Sequence, residues 1–503
     1  MRRVLRELDG VGEHFDPEPV HKLRVALRQS RSLVDVLSEI EPDPCWSDVK
    51  RAAKKLFQRL GDLRDTQVMT GWLGTFSKKA RKDPLLRELL EDLPRREKKL
   101  KARARRAASS FDRSAWKQWV QRLAARTRDR APSIEAFRYL ALVRWKEARK
   151  LHERAMRGAP RETWHELRIA LKRFRYVVES FLAEGFSKWG SELKRLQDLL
   201  GEIHDLDVLD DLVLAKSSEH PASSDALRGR IAEARAAREA EYKERARKRP
   251  SPWASWRREL PAEHLLKSAA LAKLEAWARF VTPGFERAVR LRGAALEVLD
   301  ALGREGIGLE PESSRRKTIL EAAALLQGIG AGSQNGVERE SWKMVRSLEP
   351  PLGWTRDDVQ AVAAAIREEP RVLEGKKIRT GGLSPEAARE ARASAVILSV
   401  ARALTREEGS AARVSVTPEG DLLRFEALDP GDGRVLASAT ARRAELEAES
   451  GKKGSGEAEE FTTETRRHGE EEGREDRGGN GRGSGSGSGR GKRKGSVRRP
   501  SRP

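Results

Sequence analysis

Residues 20–37, VHKLRVALRQSRSLVDVL, place His21, Arg24, Arg28 and Arg31 at spacings of three, four and three. At 100° per residue these four positions share a helix stripe about 80° wide. An imidazole and three permanent cations in a row suit an anion that carries several charges of its own, since every guanidinium offers forked N–H donors to oxygen acceptors. Apolar positions border the stripe on both sides, Leu23, Leu27, Val34 and Leu37 on one and Val25 and Val36 on the other. The cations therefore do not sit on a wholly solvated face. Taken alone, one such helix fits equally well an exposed basic face whose arginine stems cover apolar surface.

Repetition weakens that bland reading. In HELRIALKRFRYVVE, residues 165–179, His165, Arg168, Lys172 and Arg175 stand 144 positions after their counterparts. Fourteen residues after each histidine comes a carboxylate, Asp35 or Glu179. Each lies four residues past Arg31 or Arg175, within reach to orient it. Further along, KKLFQRLGDLRDTQVM (54–69) matches KRLQDLLGEIHDLDVL (194–209). This match pairs Lys54 with Lys194, Lys55 with Arg195, Gly61 with Gly201, Arg64 with His204 and Asp65 with Asp205. Two strings recurring in one order are an internal duplication, and the elements that position the stripes are accordingly two copies of one helical unit.

The 503 residues contain 101 Lys and Arg against 78 Asp and Glu, for a net charge of +23. Residues 1–250 hold 57 of the basic and 39 of the acidic side chains, a net of +18, leaving +5 for the remainder. The positive field belongs to the duplicated half and calls for a polyanionic partner: nucleic acid, a membrane surface or a phosphate polymer. A single cysteine, Cys45, excludes an intramolecular disulfide and a cysteine-ligated zinc cluster. No apolar run is long enough to span a membrane, and a soluble protein of the reducing cytoplasm is the expectation.

Punctuation organises the chain. Residues 1–245 read as successive helices broken at 41–45, 82–84, 158–160 and 217–225, with repeats at about 1–110 and 135–245. Residues 246–264, basic and proline-bearing, read as a domain linker. A second helical block covers 265–448, with a β-hairpin near 412–428. Residues 449–503, rich in Gly, Ser and Arg, read as a disordered tail. The expected class is all-α, with two pseudo-symmetric bundles followed by a second helical domain.

On its motifs VHKLRVALRQSR with LGDLRDTQV, and WHELRIALKRFRYVVE with LGEIHDLDVL, the first half resembles a CHAD domain, named for a conserved histidine in an α-helical domain. The resemblance implies two helical bundles with basic stripes facing each other, and binding of inorganic polyphosphate without catalysis or cofactor. The expected contacts are His21, Arg24, Arg28, Arg31, Lys54, Lys55, Arg64, His165, Arg168, Lys172, Arg175, Lys194 and Arg195. Asp35, Asp65, Glu179 and Asp205 would orient them. Titration of His21 and His165 would strengthen anion binding on mild acidification. Association with polyphosphate granules and their components goes with this reading.

Sharper chemical readings find less support. His204-Asp205 could be a metal-binding pair, but its counterpart Arg64-Asp65 places a permanent cation where a ligand would stand, so helix termination or Arg–Asp pairing is expected. Asp205, Asp207, Asp210 and Asp211 read as a solvated acidic helix end. Trp116, Trp119, Tyr139 and Trp145 read as core or amphipathic positions rather than a base-stacking platform. Residues 280–445 resemble, more weakly, the HD-type C-terminal domain of the exopolyphosphatase and guanosine pentaphosphate phosphatase family. Where that family has metal-binding histidines, this chain has Gln327 and Gly328, then Glu338 and Glu340, then Arg367, Glu368 and Glu369, and no histidine falls between His264 and His468. A histidine-based metal centre is not expected there. Nucleic acid binding through the basic charge and Arg/Gly tail is the less favoured alternative, and phosphohydrolysis is another.

Overall fold

The computed structural model describes residues 1–40, 43–77, 83–129, 132–307, 314–332, 336–374, 376–405, 413–429, 435–442 and 446. The expected disordered tail lies outside the described residues. The first repeat comprises α1 (Arg2–Gly10), α2 (Pro17–Ser38), α3 (Pro44–Arg59), α4 (Gly61–Ser77), α5 (Pro84–Ser109) and α6 (Arg113–Asp129). The second comprises α7 (Ile134–Met156), α8 (Arg161–Phe181), α9 (Ala183–Leu214) and α10 (Pro221–Ala246). Helix starts follow local chemistry. Pro17, Pro44 and Pro84 each open a helix after an aspartate, at a position where the missing N–H costs nothing. Asp43 accepts from the Cys45 N–H at 2.6 Å and Asp83 from that of Leu86 at 3.0 Å, which satisfies otherwise orphaned donors.

By sequence correspondence α2 matches α8 and the pair α3 and α4 matches α9; α5 and α10 each follow the matched helices in chain order. The repeats differ at one joint. α3 ends at Arg59, with Leu60 as its C-cap just before Gly61, whereas α9 runs unbroken through Gly201. The two repeats interlock rather than sit side by side: α2 packs on α8, α4 on α9 and α5 on α10. Beneath this seam, Met69, Leu73 and Leu89 join Leu206, Leu209 and Ile231 in a separate apolar core.

The 246–264 connector contains α11 (Pro252–Arg258) and a 3-10 turn at Glu263–Leu265. It links the two blocks, yet it is anchored along its length. Trp253 and Trp256 are both fully buried. Trp256 lies 5.8 Å from Phe174 and 6.0 Å from Trp189, and Trp253 stacks on His152 at 4.5 Å. Basic composition suggested a tether, but two tryptophans decide the packing because each brings a large apolar surface to bury.

The second block contains α12 (Leu266–Val281), α13 (Glu286–Arg304), α14 (Ser314–Leu326), α15 (Val337–Arg346), α16 (Arg356–Leu373) and α17 (Pro385–Leu404). α12 packs on α7, and the Leu352 N–H donates to the Tyr139 hydroxyl at 2.5 Å. α16 and α17 approach closely along small residues such as Ala361, Ala365, Ala391 and Ala395, all essentially buried. The expected hairpin is a three-stranded antiparallel sheet, β1 (Arg413–Glu419), β2 (Leu422–Leu428) and β3 (Val435–Arg442). Its register sets Val416 against Phe425 and Phe425 against Ala439. The third strand is a correction. VLASATAR is mostly small residues and carries too little apolar alternation to announce a strand. Among the described residues no helix is long and apolar enough to cross a membrane.

Removing the Trp256 side chain opens a cavity between the connector and the second repeat. Trp256→Ala is expected to lower unfolding free energy by about 3–5 kcal/mol, read from the denaturant midpoint of the full chain. An unchanged midpoint would contradict the anchored connector.

Candidate functional site

The two basic stripes meet where α2 crosses α8. On α2, Arg24 is 9% exposed, and Arg28 and Arg31 are half-buried. All three guanidiniums gather around one ring, Phe57 of α3, with Cζ atoms 4.2, 5.4 and 5.4 Å from its centroid. An aromatic face attracts cations through its quadrupole, by about 0.5–2 kcal/mol each depending on desolvation. Arg24 Nη1 also donates to the Phe57 carbonyl at 3.0 Å. Gly61 makes room for it, since a Cβ there would stand 3.3 Å from that nitrogen. On α8, Arg175 donates to Gln197 Oε1 at 3.2 Å and lies 3.4 Å from Glu179. Glu179 in turn accepts from Gln29 of α2 at 3.3 Å, a direct bond between repeats.

Electrostatic coupling crosses the seam. Lys172 is held well below its ordinary pKa, first by loss of hydration and then by Arg168 and by Arg28 of the other repeat. Arg24 falls to about 10, chiefly through desolvation, with Arg28, Arg64 and Arg168 adding to it. Arg168 is lowered by burial and by Arg28. At the foot of the stripes stand two carboxylates. Desolvation raises Asp205 to about 6 against the pull of Arg168 and Lys172, and raises Asp65 against that of Arg24. The two acids also repel each other. His204 is pushed down to about 3 by burial and then by Arg168. It is therefore neutral, and it meets His165 Nδ1 to Nδ1 at 3.3 Å. The Nε atoms of Arg31 and Arg168 are buried without an acceptor. Donors of this kind, on cations that repel one another, make an arrangement suited to accept an anion.

The CHAD domain family model matches residues 1–214. Residues 1–214 form a CHAD domain. A solved CHAD domain from the plant Ricinus communis is similar at 23% identity over 51% of this chain and 87% of its own, with a TM-score of 0.37. No curated protein matches the chain.

Within the CHAD domain the expected site residues divide. His21, Arg24, Arg28, Arg31, Arg64, Asp65, Arg168, Lys172 and Asp205 form one electrostatically connected group. His165 joins it through Arg168 and Lys172. Lys54, Lys55 and Lys194 are exposed, and no ion pair engages them among the described residues. Arg195 faces α10 instead, paired with Glu241 at 2.5 Å, because it lies about 100° round the helix from Lys194. Asp35 does not orient Arg31. It pairs with Lys50 at 2.5 Å, a nearer cation presented by α3. Glu179 does reach Arg175.

His204 and Asp205 do not end a helix; they lie inside the 32-residue α9. Nor is the acidic run a solvated end. Asp207 is 5% exposed and pairs with Arg161 and Arg235, while Asp210 pairs with Arg228. Basic residues from α8 and α10 supply the counter-charge that the run lacks locally. Among the described residues, no group of three His, Cys, Asp or Glu side chains is placed to hold a metal ion. Phe57 was invisible in the sequence because its counterpart is Gln197, so the alignment of the repeats gave it no weight.

The seam makes the titration of its members mutual. An NMR titration of the unliganded chain is expected to find Asp205 with a midpoint of about 6 and His204 neutral to about pH 3. Arg168 lowers both values, so Arg168→Ala should raise both midpoints. A normal carboxylate midpoint for Asp205 would refute the desolvated seam.

Proposed function

We propose that the CHAD domain binds inorganic polyphosphate along the seam between α2 and α8 and performs no chemistry on it. The observation that carries the reading is the meeting of two like-charged stripes, Arg24, Arg28 and Arg31 with Arg168, Lys172 and Arg175, where the charge of Arg28 lowers the proton affinity of Arg24 and, across the seam, of Arg168 and Lys172. A polymer with roughly one charge per repeating unit and no base edges is recognised by charge-assisted hydrogen bonds from successive cations. Such a ligand relieves repulsion in both stripes at once. On this reading Lys54, Lys55 and Lys194 border the groove. The second block is a non-catalytic module, and the protein acts in the cytoplasm, with polyphosphate granules a natural setting.

Nucleic acid is the second reading, favoured by the net charge and the Arg/Gly tail. Against it, Trp116 and Tyr139 are buried rather than presented for stacking. Competition binding of the full chain to labelled long-chain polyphosphate at physiological salt separates the two, with duplex DNA, single-stranded RNA and heparin as competitors. Polyphosphate should persist against equal phosphate concentrations of nucleic acid. It should weaken at least a hundredfold in Arg28→Ala/Lys172→Ala and be little changed by deletion of 449–503. Displacement by DNA or RNA with an unaffected double variant would reverse the assignment. Phosphate release in the presence of Mg²⁺, Mn²⁺ or Zn²⁺, lost on changing Asp205, would establish a hydrolase instead.

Binding should tighten on acidification, but through Asp205 rather than the histidines. Desolvation lowers both His21 and His165, which moves their charging below the ordinary histidine range. As pH falls through about 6, Asp205 takes up a proton and the seam loses a negative charge, so a polyanion binds more tightly. Asp205→Asn is expected to bind several-fold more tightly at pH 7.5 and to lose the step near pH 6. Retention of that step would place its origin elsewhere.

A further inference from the structure

A cavity of about 550 Å³ opens in the second block, bordered by the end of α12, the start of α13, the end of α14, α15 and the end of α17. We propose that it is a second anion site, built for a small organic phosphate rather than a polymer. The inference goes beyond the polyphosphate reading and uses none of its residues.

Four independent features converge on the cavity. First, Arg287 and Arg290 border it from α13. Three residues apart, they occupy one helix face; both are exposed and neither has an ion-pair partner among the described residues. Second, Arg402 also borders it, fixed by Glu369 at 2.5 Å and by Gln327. These bonds use Nε and Nη2, and Nη1 is left without an acceptor among the described residues. Third, Thr282 borders the cavity, is 8% exposed, and has a buried Oγ1 with no partner. A hydroxyl in that condition is a donor awaiting an acceptor. Gly328 permits its position, since a Cβ there would stand 2.8 Å from the Thr282 methyl. Fourth, the 19-residue α13 starts beside the cavity with no side-chain cap. Its partial positive end favours an anion.

The remaining lining defines the ligand class. Glu338 is the one carboxylate among the lining residues, able to accept from a hydroxyl or amino group. Ala288, Leu291 and Val337 supply an apolar wall. A volume of this size is usual for small-molecule sites. A phosphate ester with a compact polar or aromatic body, a nucleoside diphosphate or a sugar phosphate, satisfies all three surfaces.

The test uses the full chain carrying Arg28→Ala/Lys172→Ala, so that the CHAD stripes contribute little. Calorimetric titration with adenosine diphosphate, glucose 6-phosphate and inorganic phosphate at physiological salt should find saturable binding of one ester per chain. Both Thr282→Val and Arg287→Ala/Arg290→Ala should weaken it at least tenfold, with melting temperatures of the unliganded variants close to the parent. Absence of saturable binding, equal affinity in the cavity variants, or binding confined to chains with intact stripes would each overturn the proposal. The cavity variants should keep the parent's polyphosphate affinity, so failure at one site is distinguishable from failure at the other.

Discussion

Repulsion between cations that face each other across α2 and α8 is the constraint around which the first block is arranged. Two like charges 4 Å apart repel by about 4 kcal/mol at the effective dielectric of a protein surface, a large sum against a domain's net stability of about 5–15 kcal/mol. Arg24, Arg28 and Arg31 are tolerated together because Phe57 offers all three an aromatic face, and because Asp65 and Asp205 stand below. The apolar cores on either side hold the helices in place against the residual repulsion. Rigid cations assembled before a ligand arrives spare it the cost of ordering them.

The same constraint explains the asymmetry between repeats. The first uses an aromatic ring where the second uses Gln197, and it breaks its helix at Leu60 where the second continues. Gly61 follows that break and admits the Arg24 guanidinium, whereas a Cβ at Gly201 would meet no neighbouring atom within 4 Å. In the second half, Arg175 is restrained by an amide and a carboxylate, and Lys172 carries the desolvated charge. Two copies of one unit thus reach a similar charge distribution by different supports.

Much of this architecture was legible in the residues. Spacings of three and four put the cations on one face, and duplication implied that two such faces exist. Prolines and aspartates marked the helix starts. What could not be read depended on partners distant in sequence. Asp35 was assigned to the arginine four residues before it, but Lys50 on a neighbouring helix takes it. Asp207 and Asp210 looked solvated until α8 and α10 brought arginines to them. Arg195 shared a motif with the stripe yet paired with Glu241. Trp253 and Trp256 outweighed the polar composition of the connector. β3 escaped because small side chains satisfy a sheet without writing its period into the sequence.

The near-regular spacing of cations along α2 and α8 also bears on how a bound ligand moves. For a linear ligand with evenly repeated charges, shifting by one unit recreates the same set of contacts, so no single alignment is privileged. Occupancy is then shared among equivalent alignments, whose number grows with ligand length. Tenfold more alignments are worth about 1.4 kcal/mol of statistical advantage with no new contact formed. On the polyphosphate reading, such a row of cations would measure length through counting statistics and would hold its ligand firmly while letting it slide.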